Sequence, residues 1–194
     1  MNTSERDRGM LDRRGLLAVL GAGAAVGLAG CAGGNDEEED EATTYEPNVD
    51  DHPGDEPIEF TSDQNCVVCN MTPTDYSDRM SQLAHEDGRG AVTCSPGCLF
   101  AYYAATASDS DVVGAWAVEI TTGELADVTD GYFVLVTDEQ AADDPMGIDP
   151  RPFGDREDAL EFIDEWDAEA LGEDDIITLE DVDRDVARPY RNRV

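Results

Sequence analysis

Short apolar segments alternate with long polar ones along the chain, and the spacing of the apolar positions changes between segments. Four segments rich in valine, isoleucine or aromatic residues predict strands: 90–94, 112–120, 131–137 and 176–179. Two segments with apolar residues at helical spacing predict helices: 97–107 and 154–171. Two successive strand–helix–strand runs predict an α+β fold with an internal pseudo-repeat, inside one domain spanning 58–182.

The second predicted helix has a well-marked start and a single apolar face. Asp155 is the expected N-cap, and acidic residues follow it in the first turn, where the helix dipole favours them. Ala159, Phe162, Ile163 and Trp166 share one face and are expected to be buried.

Residues 1–30 have the composition of an export signal. Arg13 and Arg14 form a twin-arginine pair ahead of an apolar run that is too short and too rich in glycine and alanine for a membrane span. The run ends at Leu28-Ala29-Gly30-Cys31, which has the form of a bacterial-type lipobox. We therefore expect a mature chain that begins at Cys31, carries lipid on that sulfur and is anchored to the outer face of the cell membrane.

Residues 31–57 are acidic, contain glycine and proline and have few apolar side chains. They predict a disordered tether, with His52 exposed to solvent within it. The last segment, residues 183–194, carries several arginines and is expected to be a flexible tail.

The chain is strongly acidic, with 46 acidic residues against 12 basic ones and a formal net charge of −34. Such a charge disfavours nucleic-acid binding, because phosphates would be repelled. Acidic residues interleaved with apolar ones are typical of proteins that fold at high salt, where self-repulsion is screened. The composition predicts a halophilic, archaeal source and says little about partners.

Four cysteines inside the predicted domain form two close pairs, Cys66 with Cys69 and Cys94 with Cys98, separated by 24 residues. Two close thiolate pairs favour a structural zinc site. Export favours disulfides instead, and a redox-active pair would be a variant of that reading. The third reading is a site for Cu(I), a soft ion that prefers thiolate and thioether ligands.

Methionine placement favours copper, since zinc does not use thioether ligands. Met71 follows Cys69 by two residues, and Met146 lies in a polar loop rather than on an apolar face. We interpret His85, ahead of an Asp-Gly turn, as a surface residue rather than a ligand. We find no nucleophile paired with a base, so the sequence predicts a protein that is not an enzyme.

Four blocks of sequence resemble the NosL family, which comprises membrane-anchored accessory lipoproteins of nitrous oxide reductase. The blocks are CVVCNM at 66–71, GCLFAYY at 97–103, DPMG at 144–147 and PFGDREDA at 152–159. They occur in the family's order over roughly residues 60–180. Asn70 stands where the family usually has glycine, and asparagine tolerates the positive φ that a turn there requires.

The resemblance implies a pair of ββαβ units similar to part of organomercurial lyases, and Cu(I) binding and delivery to nitrous oxide reductase or its maturation machinery. By position it implies metal ligands at Cys66, Cys69, Met71, Cys98 and Met146. Cys94 is not at a usual family position, so its role as a ligand, a disulfide partner or a neighbour stays open. The rival functions are an interaction lipoprotein stapled by zinc or disulfides, and a thiol oxidoreductase or carbon–mercury lyase.

Overall fold

The computed structural model describes residues 43–142 and 144–194, so the predicted signal and the lipidation site at Cys31 lie outside the described residues. In the part of the chain that is described, no helix combines the length and apolarity needed to cross a bilayer. The strands are β1 (Ser81–His85), β2 (Gly90–Thr93), β3 (Val112–Val118), β4 (Leu125–Asp127), β5 (Tyr132–Val134), β6 (Arg151–Phe153) and β7 (Ile176–Ile177). The α-helices are α1 (Pro96–Ala105), α2 (Glu139–Ala142), α3 (Arg156–Glu165) and α4 (Arg184–Ala187).

The strands form two antiparallel sheets, one from each half of the domain. The first has the order β2-β1-β3-β4 and the second β6-β5-β7. In each sheet a central strand pairs with the next strand along the chain, and a helix then leads to the strand on its other side. The two halves therefore repeat one ββαβ topology, which confirms the predicted tandem α+β fold.

Helix α1 lies in the main core and is buried on nearly all sides. Its Phe100 ring packs edge-on against Phe133 of β5, with ring centroids 4.9 Å apart, and also against Tyr190. Leu99 and Tyr102 are fully buried as well. An apolar helix is stable in this position because each face removes nonpolar surface from water.

The predicted helices and most predicted strands are confirmed with shorter bounds, whereas β1 was not predicted. Its sequence, SQLAH, shows no alternation of apolar and polar residues because all five side chains are buried. The surface assignment of His85 is consequently wrong. The ring is 1% exposed, its Nε2 lies 2.8 Å from the hydroxyl oxygen of Tyr102, and its Nδ1 lies 3.0 Å from the carbonyl oxygen of Ser110.

The predicted tether at 31–57 extends too far towards the domain, because its part from residue 43 onwards packs against the fold. Tyr45 is buried in the main core, and the backbone of Val49 pairs with Gly90 of β2. His52 is buried rather than solvated, with its ring stacked on Trp116 and within hydrogen-bond distance of Gln82. Local composition missed these contacts because their partners lie far along the chain.

The predicted flexible tail at 183–194 is also wrong. Asp183 caps α4 by accepting hydrogen bonds from two backbone N–H groups, and α4 packs against α1. Ala187, Tyr190 and Val194 are buried in the main core. The last residues therefore belong to the domain, and they run beside the cysteine cluster described below.

Candidate metal centre

The first cysteine pair lies in a tight loop, residues 66–71, closed by its own backbone. The N–H of Cys66 donates to the carbonyl of Met71 (2.7 Å), and the N–H of Asn70 donates to the carbonyl of Cys66 (2.9 Å). Asn70 has φ 64°, which confirms the left-handed turn expected at the position where the family has glycine. A further bond from Val67 to β2 fixes the loop to the first sheet.

The second pair flanks the junction between β2 and α1. Cys94 follows the end of β2, and Cys98 is the third residue of α1. Between them, Ser95 is the N-cap and its Oγ accepts from the N–H of Cys98 (3.4 Å), while Pro96 occupies the first helical position. The Ser-Pro start of the helix thus holds both sulfurs at its positive end, where thiolates are favoured.

The loop and the junction bring all four sulfurs within 4.8 Å of one another. Cys69 Sγ lies 3.3 Å from Cys94 Sγ, and Cys98 Sγ lies 3.9 Å from both. A tetrahedral ion bound at about 2.3 Å would separate its sulfurs by about 3.8 Å, close to these distances. All four are free thiols, so the donor set fits a soft metal ion.

Cys94 is therefore part of the cluster, a role that the sequence left open. The C-S-P-G-C pattern carries the signal that could have found it, because a serine N-cap followed by proline predicts a helix start with one cysteine on each side.

Mutual hydrogen bonding separates the acidities of the four thiols. Cys66 and Cys94, as hydrogen-bond partners of Cys69, lower its pKa to about 7. Cys69 raises the pKa of Cys66, but Cys94 and Cys98 together outweigh it and lower that pKa to about 7. The pKa of Cys94 is raised by its bonds with Cys66, Cys69 and Cys98. Cys94 is thus the least acidic of the four thiols.

Met146 reaches the cluster from the second half of the domain, where it packs against the cysteines. Its backbone N–H donates to Oδ1 of Asp144 (2.8 Å), whose side chain is 1% exposed. Oδ2 of Asp144 accepts from Arg79 and from Arg151 (3.1 Å). This buried ion-pair group holds the Met146 loop against the segment that follows the first cysteine loop.

Met71, the other predicted thioether ligand, has a side chain that is 40% exposed. The contribution of Met71 to the site comes from its backbone carbonyl, which closes the loop at Cys66. Its role as a ligand stays a prediction.

Arg191, from the C-terminal segment (residues 183–194), contacts the cluster directly. Its Nε donates to Cys98 Sγ (3.0 Å), and its Nη2 donates to Ser95 Oγ and to Asp149 Oδ1 (3.0 Å). Burial opposes the charge of the guanidinium, but the Asp149 carboxylate and the Cys98 sulfur outweigh it and raise the pKa of Arg191. Asp149 also accepts from the N–H of Gly97 (2.8 Å), and any Cβ at Gly97 would collide with its carboxylate.

Cys69 is the most exposed cysteine of the cluster. Cys66, Cys94 and Cys98 are buried, whereas Cys69 is half-buried. Cys69 lines a cleft of about 370 Å³, together with Met146 and residues 189–192. An ion entering or leaving through this cleft would meet Cys69 first.

The sequence model of the NosL family matches residues 57–182, most of the described domain. The chain belongs to the NosL family. The fold is similar to the crystal structure of the copper chaperone NosL from Shewanella denitrificans, with a TM-score of 0.51 and 14% sequence identity over 67% of this chain and 97% of that chain. No curated protein sequence matches the chain.

The family match contains all four cysteines and Met146, but it ends before the C-terminal segment. Arg191 therefore contacts the centre from outside the matched region. The sequence did not predict this contact, because Arg191 is one of several arginines in its segment and lies 93 residues from Cys98. No motif near Arg191 distinguishes it from the others.

Proposed function

We propose that this NosL-family protein binds Cu(I) at the four-cysteine centre and delivers it to nitrous oxide reductase while the copper centre of that enzyme is assembled. The observation that carries the proposal is the convergence of four free thiols within 4.8 Å, with a methionine packed against them. Thiolate and thioether together are the donors that Cu(I) selects. The fold similarity to a protein described as a copper chaperone supports the choice of ion.

Membrane anchoring is part of the proposal. The twin-arginine signal would export the folded chain, and lipid on Cys31 would hold it on the extracytoplasmic face. There the protein would meet nitrous oxide reductase or its maturation machinery. Membrane fractionation of cells producing the chain and its Cys31→Ser variant tests this part, which fails if both forms remain with the membrane.

The cleft at Cys69 is the proposed exchange route. Three buried thiols would retain the ion, and the half-buried Cys69 would offer it to sulfur ligands of an acceptor. Met71 is exposed two residues after Cys69 and would assist the capture of Cu(I). Stepwise replacement of one soft ligand by another moves the ion without redox change, so no catalytic group is required.

The decisive experiment is an anaerobic Cu(I) titration of the reduced protein against a competing chelator, with a zinc titration in parallel. Wild type should compete for Cu(I), and Cys66→Ser should lose much of that affinity. A protein that ignores Cu(I) but holds zinc tightly would overturn the proposal. Transfer is tested by adding copper-loaded protein to copper-free nitrous oxide reductase and measuring copper in the separated proteins.

A structural zinc site is the second candidate, favoured by the near-tetrahedral spacing of the sulfurs and the burial of three of them. A structural zinc ion would stabilise the fold strongly, since ligand binding to the native state alone raises its stability. A large rise in unfolding temperature with zinc and none with Cu(I) would favour this alternative.

A further inference from the structure

Arg191 makes a contact that metal binding by the cysteines does not explain. Its guanidinium is largely buried, with a side chain 12% exposed. Across residues 43–142 and 144–194, its Nε provides the one hydrogen bond from a cation to a cysteine sulfur. Asp149 pairs with the charge of this guanidinium, and the hydrogen bond from Nε is strongest when the sulfur that accepts it is a thiolate.

The position of Arg191 is over-determined by the groups around it. Asp149 holds one end of the guanidinium, Ser95 Oγ accepts from the same end, and the carbonyl of Tyr190 accepts from the other nitrogen. The ring of Tyr190 is anchored in turn against Phe100 of α1. The remaining donor, Nε, is left pointing at Cys98 Sγ.

We infer that Arg191 is a positioning residue of the metal centre: it donates to the Cys98 thiolate and offsets the negative charge that four thiolates leave around a monovalent ion. Thiols that hold protons in the empty centre release them when the ion binds, and one Cu(I) neutralises only one thiolate charge. The loaded centre is then more negative than the empty one, so a fixed cation stabilises the loaded state more. The inference rests on the proposed function, because it requires that the centre binds metal.

The same contact also sets the donor strength of the sulfur. A hydrogen bond withdraws electron density from a thiolate and lowers the energy of its lone pairs. Removing the bond should therefore move the thiolate-to-metal charge-transfer band of a bound ion to longer wavelength. A residue that served only to pack the C-terminal segment would leave that band unchanged.

The test compares Arg191→Gln with Arg188→Gln in the full chain. Arg188 is an exposed arginine of the same segment, paired with Asp185. In anaerobic competition with a chelator, Arg191→Gln should weaken Cu(I) binding by roughly tenfold to a hundredfold, as expected for a lost hydrogen bond to a charged group, and Arg188→Gln should not. With Co(II) as a spectroscopic probe, Arg191→Gln should shift the charge-transfer band to longer wavelength.

Arg191→Gln leaves the buried Asp149 carboxylate without its cation, so the variant is also made in an Asp149→Asn background. There the comparison is between Asp149→Asn, in which Arg191 keeps Ser95, the carbonyl of Tyr190 and Cys98 as partners, and the double variant, which contains neither buried charge. Arg191→Lys should recover part of the Cu(I) affinity, since it keeps the charge but loses the planar set of donors.

The outcomes separate this inference from the proposed function. Wild type that binds neither Cu(I) nor Co(II) overturns both. Wild type that binds, together with Arg191→Gln or the double variant matching its reference in affinity within about twofold and in band position, overturns the role of Arg191 alone. Weaker binding with a shifted band, at unchanged stability of the metal-free fold, supports it.

Discussion

The two ββαβ units share their strand order but use the junction between second strand and helix differently. In the first unit the junction from β2 to α1 carries Cys94, the Ser95 cap and Cys98, all buried. In the second, the junction from β6 to α3 has Gly154, Asp155 and Asp158 at the matching places. The aspartates are exposed, and Asp155 makes no side-chain cap hydrogen bond.

The helices that follow differ in the same way. Eight of the ten residues of α1 are buried, whereas Ala159 is the buried residue of α3, whose partly buried face packs on the second sheet. The first junction is covered by the loop at 66–71, the Met146 loop and the C-terminal segment. Both units therefore have the same junction between a strand and a helix start. Only in the first unit do cysteines occupy this junction and other segments of the chain bury it, which makes it a candidate metal centre.

The largest expected effect comes from removing a sulfur at the first junction. Cys94→Ser should weaken Cu(I) binding by roughly a thousandfold, about 4 kcal/mol, because a hydroxyl is a hard, neutral donor. Asp158→Ser at the second junction should leave the affinity unchanged. Chelator competition measures both, and equal losses would show that the junctions do not differ in metal binding.

The next effect is the loss of folding stability when a leucine is truncated in α1 or in α3. Leu99→Ala in α1 removes a fully buried side chain and should lower the free energy of unfolding by about 3 kcal/mol. Leu160→Ala in α3, where the residue is half-buried, should cost less than about 1.5 kcal/mol. Denaturant unfolding at fixed salt measures both, and a larger cost at Leu160 would contradict the comparison.

A smaller effect tests whether the second half contributes to the centre. Met146→Leu keeps volume but removes the thioether, so Cu(I) affinity should fall by about tenfold, or 1.4 kcal/mol, and zinc affinity should stay the same. Met71→Leu, at the exposed position, should change Cu(I) affinity less. Equal losses for copper and zinc would mean that Met146 acts through packing alone.

The smallest effect concerns the loss of folding stability in acid. We expect it in the first unit, because the ring of His52 packs on the first sheet through Trp116. Burial lowers the pKa of His52 below 6.5, so the unfolded chain binds this proton more readily than the folded one. The contribution of His52 to stability is present above the unfolded pKa of 6.5 and is lost as the pH falls from there through the lower pKa of the folded state. Unfolding free energies at pH 7.5 and 5.0 should diverge less in His52→Phe, and an unchanged pH dependence would contradict this.

How far the sequence predicts the fold can be judged from individual elements. Helix α1 and the strands at 90–93 and 112–118 were predictable, because their apolar spacing and β-branched residues favour helix or strand locally. β1 was not, since a central strand with polar residues buried by partners elsewhere shows no alternation. The turn at Asn70 was predictable because asparagine tolerates positive φ.

The candidate site was predictable in its sulfur atoms but not in its surroundings. The spacing of Cys66, Cys69 and Cys98 and the family resemblance pointed to a metal site, whereas the place of Cys94 within it depended on the distances between sulfurs. Arg191 and His52 were assigned to a flexible tail and a solvated tether. Their partners, Cys98 and Trp116, lie far away along the chain, and only folding brings them together.

The sequence alone therefore determined two successive strand–helix–strand runs, the strong negative charge and the supply of sulfur ligands, because these follow from residue type and short-range spacing. Only the tertiary structure decided that four sulfurs meet within 4.8 Å, that Cys69 faces the cleft and that an arginine from the last residues contacts the cluster. These contacts join segments that lie far apart in the sequence, so no short-range pattern predicts them. They form because packing of the shared core places the segments next to one another.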